Sequence, residues 1–217
     1  MSVVIIDYGS GNLRSAEKAV ERIARERGLG THVNVSSCAE HVLSADHIIL
    51  PGVGAFGDCI KGLRALPGMV EALEDRVLKQ GRPFLGICVG MQLLATQGHE
   101  HGIHSGLGWI EGEIKPLEIP AGMNLKIPHM GWNQLQISEA QARHPILKNI
   151  KDGDHAYFVH SFHFIPHNPD QILARVEYGQ ALAAIIGRDN IVGTQFHPEK
   201  SQTLGLDLIG NFLEWRP

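Results

Sequence analysis

The chain has 217 residues, enough for one substantial core. At roughly 100–200 residues per domain, the expectation is a single domain spanning 1–217. Apolar residues at 43% and charged residues at 19% exclude a disordered tail. Nineteen basic against 23 acidic side chains give a net charge of −4 with no lysine or arginine block, which argues against non-specific binding to a polyanion. The three cysteines, Cys38, Cys59 and Cys88, match neither a metal knuckle nor a disulfide framework and point to a reducing compartment. The first residues lack the basic start and apolar stretch of a signal peptide. The richest apolar segment, 83–95, is too short to span a bilayer, so the expected location is cytoplasmic.

Residues 3–6 are a β-branched run, followed by a Gly9-Ser10-Gly11 turn. Asn12 is a candidate N-cap for a helix whose apolar positions, Leu13, Ala16, Ala19, Val20, Ile23 and Ala24, keep helical spacing until Gly28 and Gly30 stop it. Strands are expected at 31–35 and 47–50, the second ended by Pro51-Gly52. Helices follow at 55–65 and 69–80, then a buried strand at 84–87 and a helix at 89–96. Strands alternating with helices imply an open, mostly parallel sheet with helices on both faces. After Gly98 the pattern turns strand-rich, at 109–115, 125–127, 134–137, 156–164, 172–178, 182–187 and 191–196, with hairpin-like turns such as Arg188-Asp189-Asn190. A last helix with Leu204, Leu208, Ile209, Phe212 and Leu213 on one stripe closes the chain. The fold class is α/β with an antiparallel addition in the C-terminal half.

The strongest chemical signal is Gly86-Ile87-Cys88-Val89-Gly90 between the buried strand and its helix. This is a nucleophile-elbow layout with sulfur in place of hydroxyl: small neighbours two positions either side keep a strained turn free of clashes, and a helix N-terminus beside the sulfur favours thiolate. The bland alternative is a buried cysteine packed among apolar neighbours. A thiolate nucleophile needs a base and an orienting acid, and His197-Pro198-Glu199 supplies both directly after an expected strand. Alone, that tripeptide also fits a strand-end turn with a solvated glutamate. Leu50-Pro51-Gly52-Val53-Gly54, again at a strand end, has the glycines that let backbone N–H groups face a developing anion. All three pieces follow expected strands, where catalytic groups gather in an open α/β sheet.

Other signals carry less. Gly9-Ser10-Gly11 lacks the third glycine of a dinucleotide loop, because position 14 is arginine. His99, His101 and His104 lie in a polar, glycine-rich stretch and read as a solvated loop, so no metal site is expected. His160 and His163 read as core or interface histidines, and Trp109 and Trp132 as packing residues.

With the elbow and the His-Pro-Glu pair placed, the chain resembles the class I, triad-type glutamine amidotransferases. Within them it is similar to the family of glutaminase subunits of imidazole glycerol phosphate synthases, which serve histidine biosynthesis. Nearly the whole chain carries the likeness, from Asp7-Tyr8-Gly9-Ser10-Gly11-Asn12 to Gln195-Phe196-His197-Pro198-Glu199-Lys200-Ser201; Pro128-His129-Met130-Gly131-Trp132-Asn133 and Tyr157-Phe158-Val159-His160-Ser161 are its more specific motifs. The resemblance implies a flavodoxin-like fold and a Cys88, His197, Glu199 triad that hydrolyses glutamine to glutamate and ammonia without a cofactor. It implies an oxyanion hole from the Gly52–Val53 turn, after a flip of 51–54, and from the Val89 amide. It further implies glutamine contacts at Gln92, Glu100, Ser161 and Phe162. Asn12, Trp132, Tyr157 and Lys200 would face a TIM-barrel cyclase subunit that receives the ammonia and makes imidazole glycerol phosphate and aminoimidazole-carboxamide ribonucleotide. One departure is Phe162, where tyrosine is common. The glutaminase of an anthranilate- or pyridoxal-phosphate-type synthase, and a flavodoxin-like module with an inert cysteine, stay open as alternatives.

Overall fold

The computed structural model describes all 217 residues. The N-terminal half builds β1 (Ser2–Ile6), α1 (Leu13–Glu26), β2 (His32–Ser36), α2 (Ala39–Leu43), β3 (His47–Gly52), α3 (Phe56–Ala65), α4 (Met69–Leu73), β4 (Phe84–Cys88) and α5 (Val89–Gln92). The rest adds β5 (Gln97–Gly98), β6 (His104–Ser105), β7 (Gly112–Pro116), β8 (His129–Gln136), β9 (His155–His160), β10 (Phe162–Pro166), β11 (Ile172–Glu177), β12 (Ala181–Arg188), β13 (Ile191–Thr194) and α6 (Gln202–Glu214).

The main sheet has nine strands in the order β2-β1-β3-β4-β13-β12-β11-β8-β9. Its first five are mutually parallel and the rest antiparallel. This is the expected α/β class with its antiparallel extension. The chain steps one way from β1 to β2 and the other way from β2 through β3 to β4. Right-handed crossovers therefore put α1 on the opposite face from α2, α3 and α4. The packing agrees: α1 lies on α6, while α2 and α3 pack on α4. The central strands are buried on both faces, which is why β3 and β4 read as continuous apolar runs. On α1 the stripe Ala16, Ala19, Val20, Ile23 and Ala24 is buried, and on α6 all five predicted stripe residues are buried. No helix is long and apolar enough to cross a membrane.

Four local expectations are corrected. The helix expected over 89–96 is a single turn, because the carbonyls of Leu93, Leu94 and Ala95 accept from Leu107, Ile110 and Gly108 of the Gly106–Ile110 segment instead of continuing the helix. The strand expected over 156–164 is two strands in different sheets: β9 pairs with β8 in the main sheet, and β10 pairs with β7 in a small second sheet ordered β10-β7-β5-β6. Ser161 is the hinge, its carbonyl accepting from Leu117. Residues 125–127 form no strand; Leu125 and Ile127 are exposed and lie between Gly122 and Pro128, with no strand beside them. Asn12 begins α1 but makes no side-chain cap. Helix α2 and strands β5 and β6 had no clear signal, being too short for a periodic pattern.

Candidate active site

The parallel strands β1, β3, β4 and β13 deliver their carboxyl ends to one edge of the sheet. Cys88 ends β4, and register places Gly52, the end of β3, directly beside it. β13 lies on the other side of β4, with Thr194 opposite Ile87, so the segment that follows carries His197 to the same edge. Cys88 has φ 54° and ψ −112°, a conformation an L residue holds only when its surroundings enforce it. Here the enforcement is close packing. A β-carbon on Gly86 would lie 2.6 Å from the Gly90 carbonyl oxygen, and one on Gly90 would lie 1.8 Å from the Leu50 carbonyl oxygen. The two glycines flanking Cys88 are required by backbone contact, as the motif implied.

His197 and Glu199 leave a 3₁₀ turn (Pro198–Lys200) that the proline starts. His197 Nδ1 lies 2.8 Å from Glu199 Oε1, with both side chains 2% exposed. The turn is pinned by Ser201, whose hydroxyl donates to the His197 carbonyl at 2.7 Å and accepts from the Tyr157 amide at 3.0 Å. His197 Nε2 and Glu199 Oε2 are buried without a hydrogen-bond partner. An unpartnered imidazole nitrogen beside a cleft is a candidate for proton transfer. Burial by itself would lower the His197 imidazole, but Cys88 and Glu199 favour its charged form and raise it to about 9.

This shift has a consequence for stability. Between its unfolded value of 6.5 and about 9, His197 binds its proton more tightly in the folded chain. The stabilisation is therefore full below pH 6.5 and lost as pH rises through 9. The buried imidazoles of His47, His129 and His160 are pushed the opposite way, chiefly by burial, to about 4, 4 and 3. Below pH 6.5 the unfolded chain takes up protons that these residues refuse, so stability falls again towards acid. Thermal melts from pH 4 to 10 are expected to peak near 6.5, and His197→Gln is expected to flatten the limb between 6.5 and 9 while leaving the acid limb unchanged.

The 51–54 turn is held in a defined state. The Val53 amide donates to Ser10 Oγ at 3.1 Å, and the Ser10 hydroxyl donates back to the Val53 carbonyl. The Cys59 thiol also reaches that carbonyl, at 3.3 Å. In this state the Val53 N–H is engaged by Ser10 and is not available to an oxyanion. Gly54, at φ +95°, provides the pivot beside it.

Cys88 and His197 open into a cleft of about 280 Å³ whose lining includes Val53, Val89, Gln92, Glu100, Ser161 and Phe162. Six of the seven residues expected at the oxyanion and substrate sites thus share one cavity with the thiol; Gly52 lies just beneath. Gln92 donates through Nε2 to the Phe162 carbonyl at 3.1 Å and to Gln195 Oε1 at 3.0 Å, leaving its own Oε1 for a ligand. Glu100 accepts from the Phe56 amide at 2.7 Å and so holds the start of α3 as well as facing the cleft. A wider depression of about 860 Å³, between α3 and the 100–105 segment, contains no cysteine. Trp132, Tyr157 and Lys200 lie outside the cleft in one partly exposed cluster, with ring centroids 5.9 Å apart and Lys200 Nζ 5.7 Å from the Tyr157 ring. Asn12 is half-buried, its amide 3.5 Å from Glu199 Oε1.

Three contributors carry no separate signal in the sequence. Gln195, fully buried, directs its amide to Cys88 Sγ at 3.8 Å. Ser10 appeared only as part of a glycine turn. His129, noted only within a motif, hydrogen-bonds His160 behind the cleft. Gln195 was the most findable, being a polar residue within an apolar strand run next to His197.

A buried His-Glu pair, a strained cysteine between two glycines and a cleft at the carboxyl ends of parallel strands form, on a flavodoxin-like sheet, an arrangement that can support cysteine-dependent acyl transfer. A family model described as "Glutamine amidotransferase class-I" matches residues 4–214. The chain belongs to the class I glutamine amidotransferases. It is 58% identical to the Rhodospirillum rubrum protein "Imidazole glycerol phosphate synthase subunit HisH" and 55% identical to the proteins of that name from Brucella suis and Agrobacterium fabrum, over the full length of both chains in each case. Within the class it belongs with the glutamine amidotransferase subunits of imidazole glycerol phosphate synthase, an enzyme of histidine biosynthesis. Among solved structures, a glutamine amidotransferase matches at 21% identity with a TM-score of 0.69, covering 97% of each chain. The glutaminase domain of Trypanosoma brucei CTPS matches at 14% identity with a TM-score of 0.65, covering 100% of this chain and 95% of that one. At those identities the likeness concerns the fold.

Proposed function

We propose that this chain hydrolyses glutamine through Cys88, His197 and Glu199 and passes the ammonia to a TIM-barrel cyclase subunit. The Cys88 thiolate attacks the side-chain carboxamide carbon, and the carbonyl oxygen becomes an oxyanion. His197 gives its Nε2 proton to the departing nitrogen, which leaves as ammonia, and the C–N bond is replaced by a thioester. Water, deprotonated by His197, then attacks the thioester; glutamate leaves and the thiol is restored. Glu199 holds the imidazole with Nδ1 protonated, so that Nε2 is the nitrogen that exchanges protons. Gln92, Glu100, Ser161 and Phe162 hold the amino-acid end of glutamine.

The observation that carries this reading is the 2.8 Å His197–Glu199 pair, buried, with an unpartnered Nε2 in the same cleft as a cysteine at φ 54°. Oxyanion donors are worth about 2.7–4 kcal/mol each in such reactions. One of the two, the Val53 amide, is tied to Ser10 at rest, so the isolated chain is a poor catalyst. Engagement of the cyclase on the face of Asn12, Trp132, Tyr157 and Lys200 frees the turn. Coupling of this kind prevents idle hydrolysis of glutamine and loss of ammonia as ammonium in bulk water. The test is glutamate release by the chain alone, with the cyclase, and with the cyclase carrying its ribonucleotide ligand. The rate is expected to rise steeply at the last step; equal rates in all three would refute the coupling.

Ser10→Ala removes both Ser10 hydrogen bonds to Val53, including the one that ties up its amide, and leaves only the Cys59 thiol on the Val53 carbonyl. At about 0.5–1.5 kcal/mol per bond, basal glutamine hydrolysis without a partner is expected to rise roughly tenfold and the stimulation to shrink by the same factor. A basal rate equal to wild type would show that Ser10 does not restrain the turn.

A further inference from the structure

Behind the cleft, a line of side chains joins β8 to the strand that borders the substrate cavity, and every proton on it can be assigned. The Phe162 carbonyl can only accept. His160 Nδ1, 2.9 Å away, therefore carries the proton, which leaves its Nε2 as an acceptor. His129 Nδ1, 2.9 Å from that nitrogen, must then be the donor, leaving His129 Nε2 to accept from the Asn133 amide at 3.2 Å. The other end fixes the same polarity on its own: Asn133 Oδ1 accepts from the Gln134 amide at 2.8 Å, so the Asn133 NH₂ faces His129 and the Glu177 carbonyl, 2.9 Å off. Two backbone groups at opposite ends thus demand one orientation, and no link in between is frustrated.

The line is also rigid. The His129 ring stacks on Tyr178 and Phe158 with centroids 3.9 and 4.8 Å apart, and His129 and His160 are 2% and 6% exposed. Burial lowers both imidazoles far enough to keep them neutral near pH 7, as the alternation requires. The end point is a functional one. The carbonyl that His160 holds is the one that fixes Gln92, and His160 itself lines the cleft beside Ser161 and Phe162. A pair of histidines serving only the core has no need to terminate on that group.

We propose that His129 and His160 are positioning residues for glutamine binding, holding the Phe162 carbonyl and thereby Gln92 and the 161–162 strand in the geometry that receives the substrate. This rests on the glutaminase reading above. His160→Leu removes the donor to Phe162 and the acceptor for His129. In the complex with the partner subunit it is expected to raise KM for glutamine about tenfold while kcat changes less than threefold. His160→Asn, which returns an N–H near the Nδ1 position, is expected to recover most of the KM. His129→Leu is expected to act in the same direction as His160→Leu, and the double variant to be little worse than either single one, because both break the same line. Circular dichroism and the melting temperature report folding; where His160→Leu does not fold, His129→Leu, which breaks the same line one link further back, carries the comparison. A KM within twofold of wild type in folded leucine variants, or kcat and KM falling together with melting temperature and no rescue by asparagine, would overturn the proposal. A wild-type complex that released no glutamate would instead overturn the glutaminase reading, leaving the two failures distinct.

Discussion

Replacement of Cys88 by alanine is expected to abolish glutamate release by the complex, with a loss on the order of 10⁴-fold or more. The thiol is the only one in the cleft and shares it with His197, Val53 and Gly54. Without it no thioester forms, and His197 has only water to activate. A glutamine-mimicking electrophile should label the wild-type chain once and the variant not at all, as mass spectrometry of the intact protein would show. The inert-cysteine reading predicts no label even with a partner present. The backbone adds a second readout. At φ 54° any side chain with a β-carbon is strained, at roughly 1–3 kcal/mol, so Cys88→Gly should be more stable than both wild type and Cys88→Ala. An inactive variant more stable than its parent would locate the strain at the nucleophile.

Gly90→Ala is expected to have the largest effect on stability, a loss of about 3 kcal/mol or more in urea unfolding. The added β-carbon would lie 1.8 Å from the Leu50 carbonyl oxygen and 2.8 Å from its carbon. Both are backbone atoms of a buried central strand, so no rotamer change relieves the clash. Either β3 separates from β4, or the turn after Cys88 moves; in both cases Gly52 and Cys88 lose their register, and activity falls with stability. Gly30→Ala is the control, since a β-carbon there meets nothing within 4 Å, and it should stay within about 0.5 kcal/mol of wild type. An equal effect of the two substitutions would contradict the packing argument.

The parts of the site visible in the sequence were those whose chemistry forces a local pattern. A strained strand-to-helix turn needs glycines two residues either side of the nucleophile, so the elbow is written within five positions. A base and its orienting acid two residues apart can be fixed by a single proline between them, so His197-Pro198-Glu199 is equally local. Ser10, Asn12 and Gln195 are different. Each makes long-range contacts, chiefly to Val53, Glu199 and Cys88, respectively, and nothing in its neighbourhood distinguishes it from an ordinary turn or strand residue.

The same division holds for the fold. By itself the sequence determined the alternation of parallel strands and helices, the buried stripes of α1 and α6, the antiparallel second half and the candidates for the reactive groups, because these follow from periodicity and turn chemistry over a few residues. Only the tertiary structure decided that 156–164 divides between two sheets at Ser161, that α5 stops after one turn, and that the Val53 amide is held by Ser10. Those outcomes depend on which distant backbone groups capture a carbonyl or an N–H, as the Gly106–Ile110 segment does for residues 93–95. Hydrogen-bond partners far apart along the chain leave no periodic trace in it.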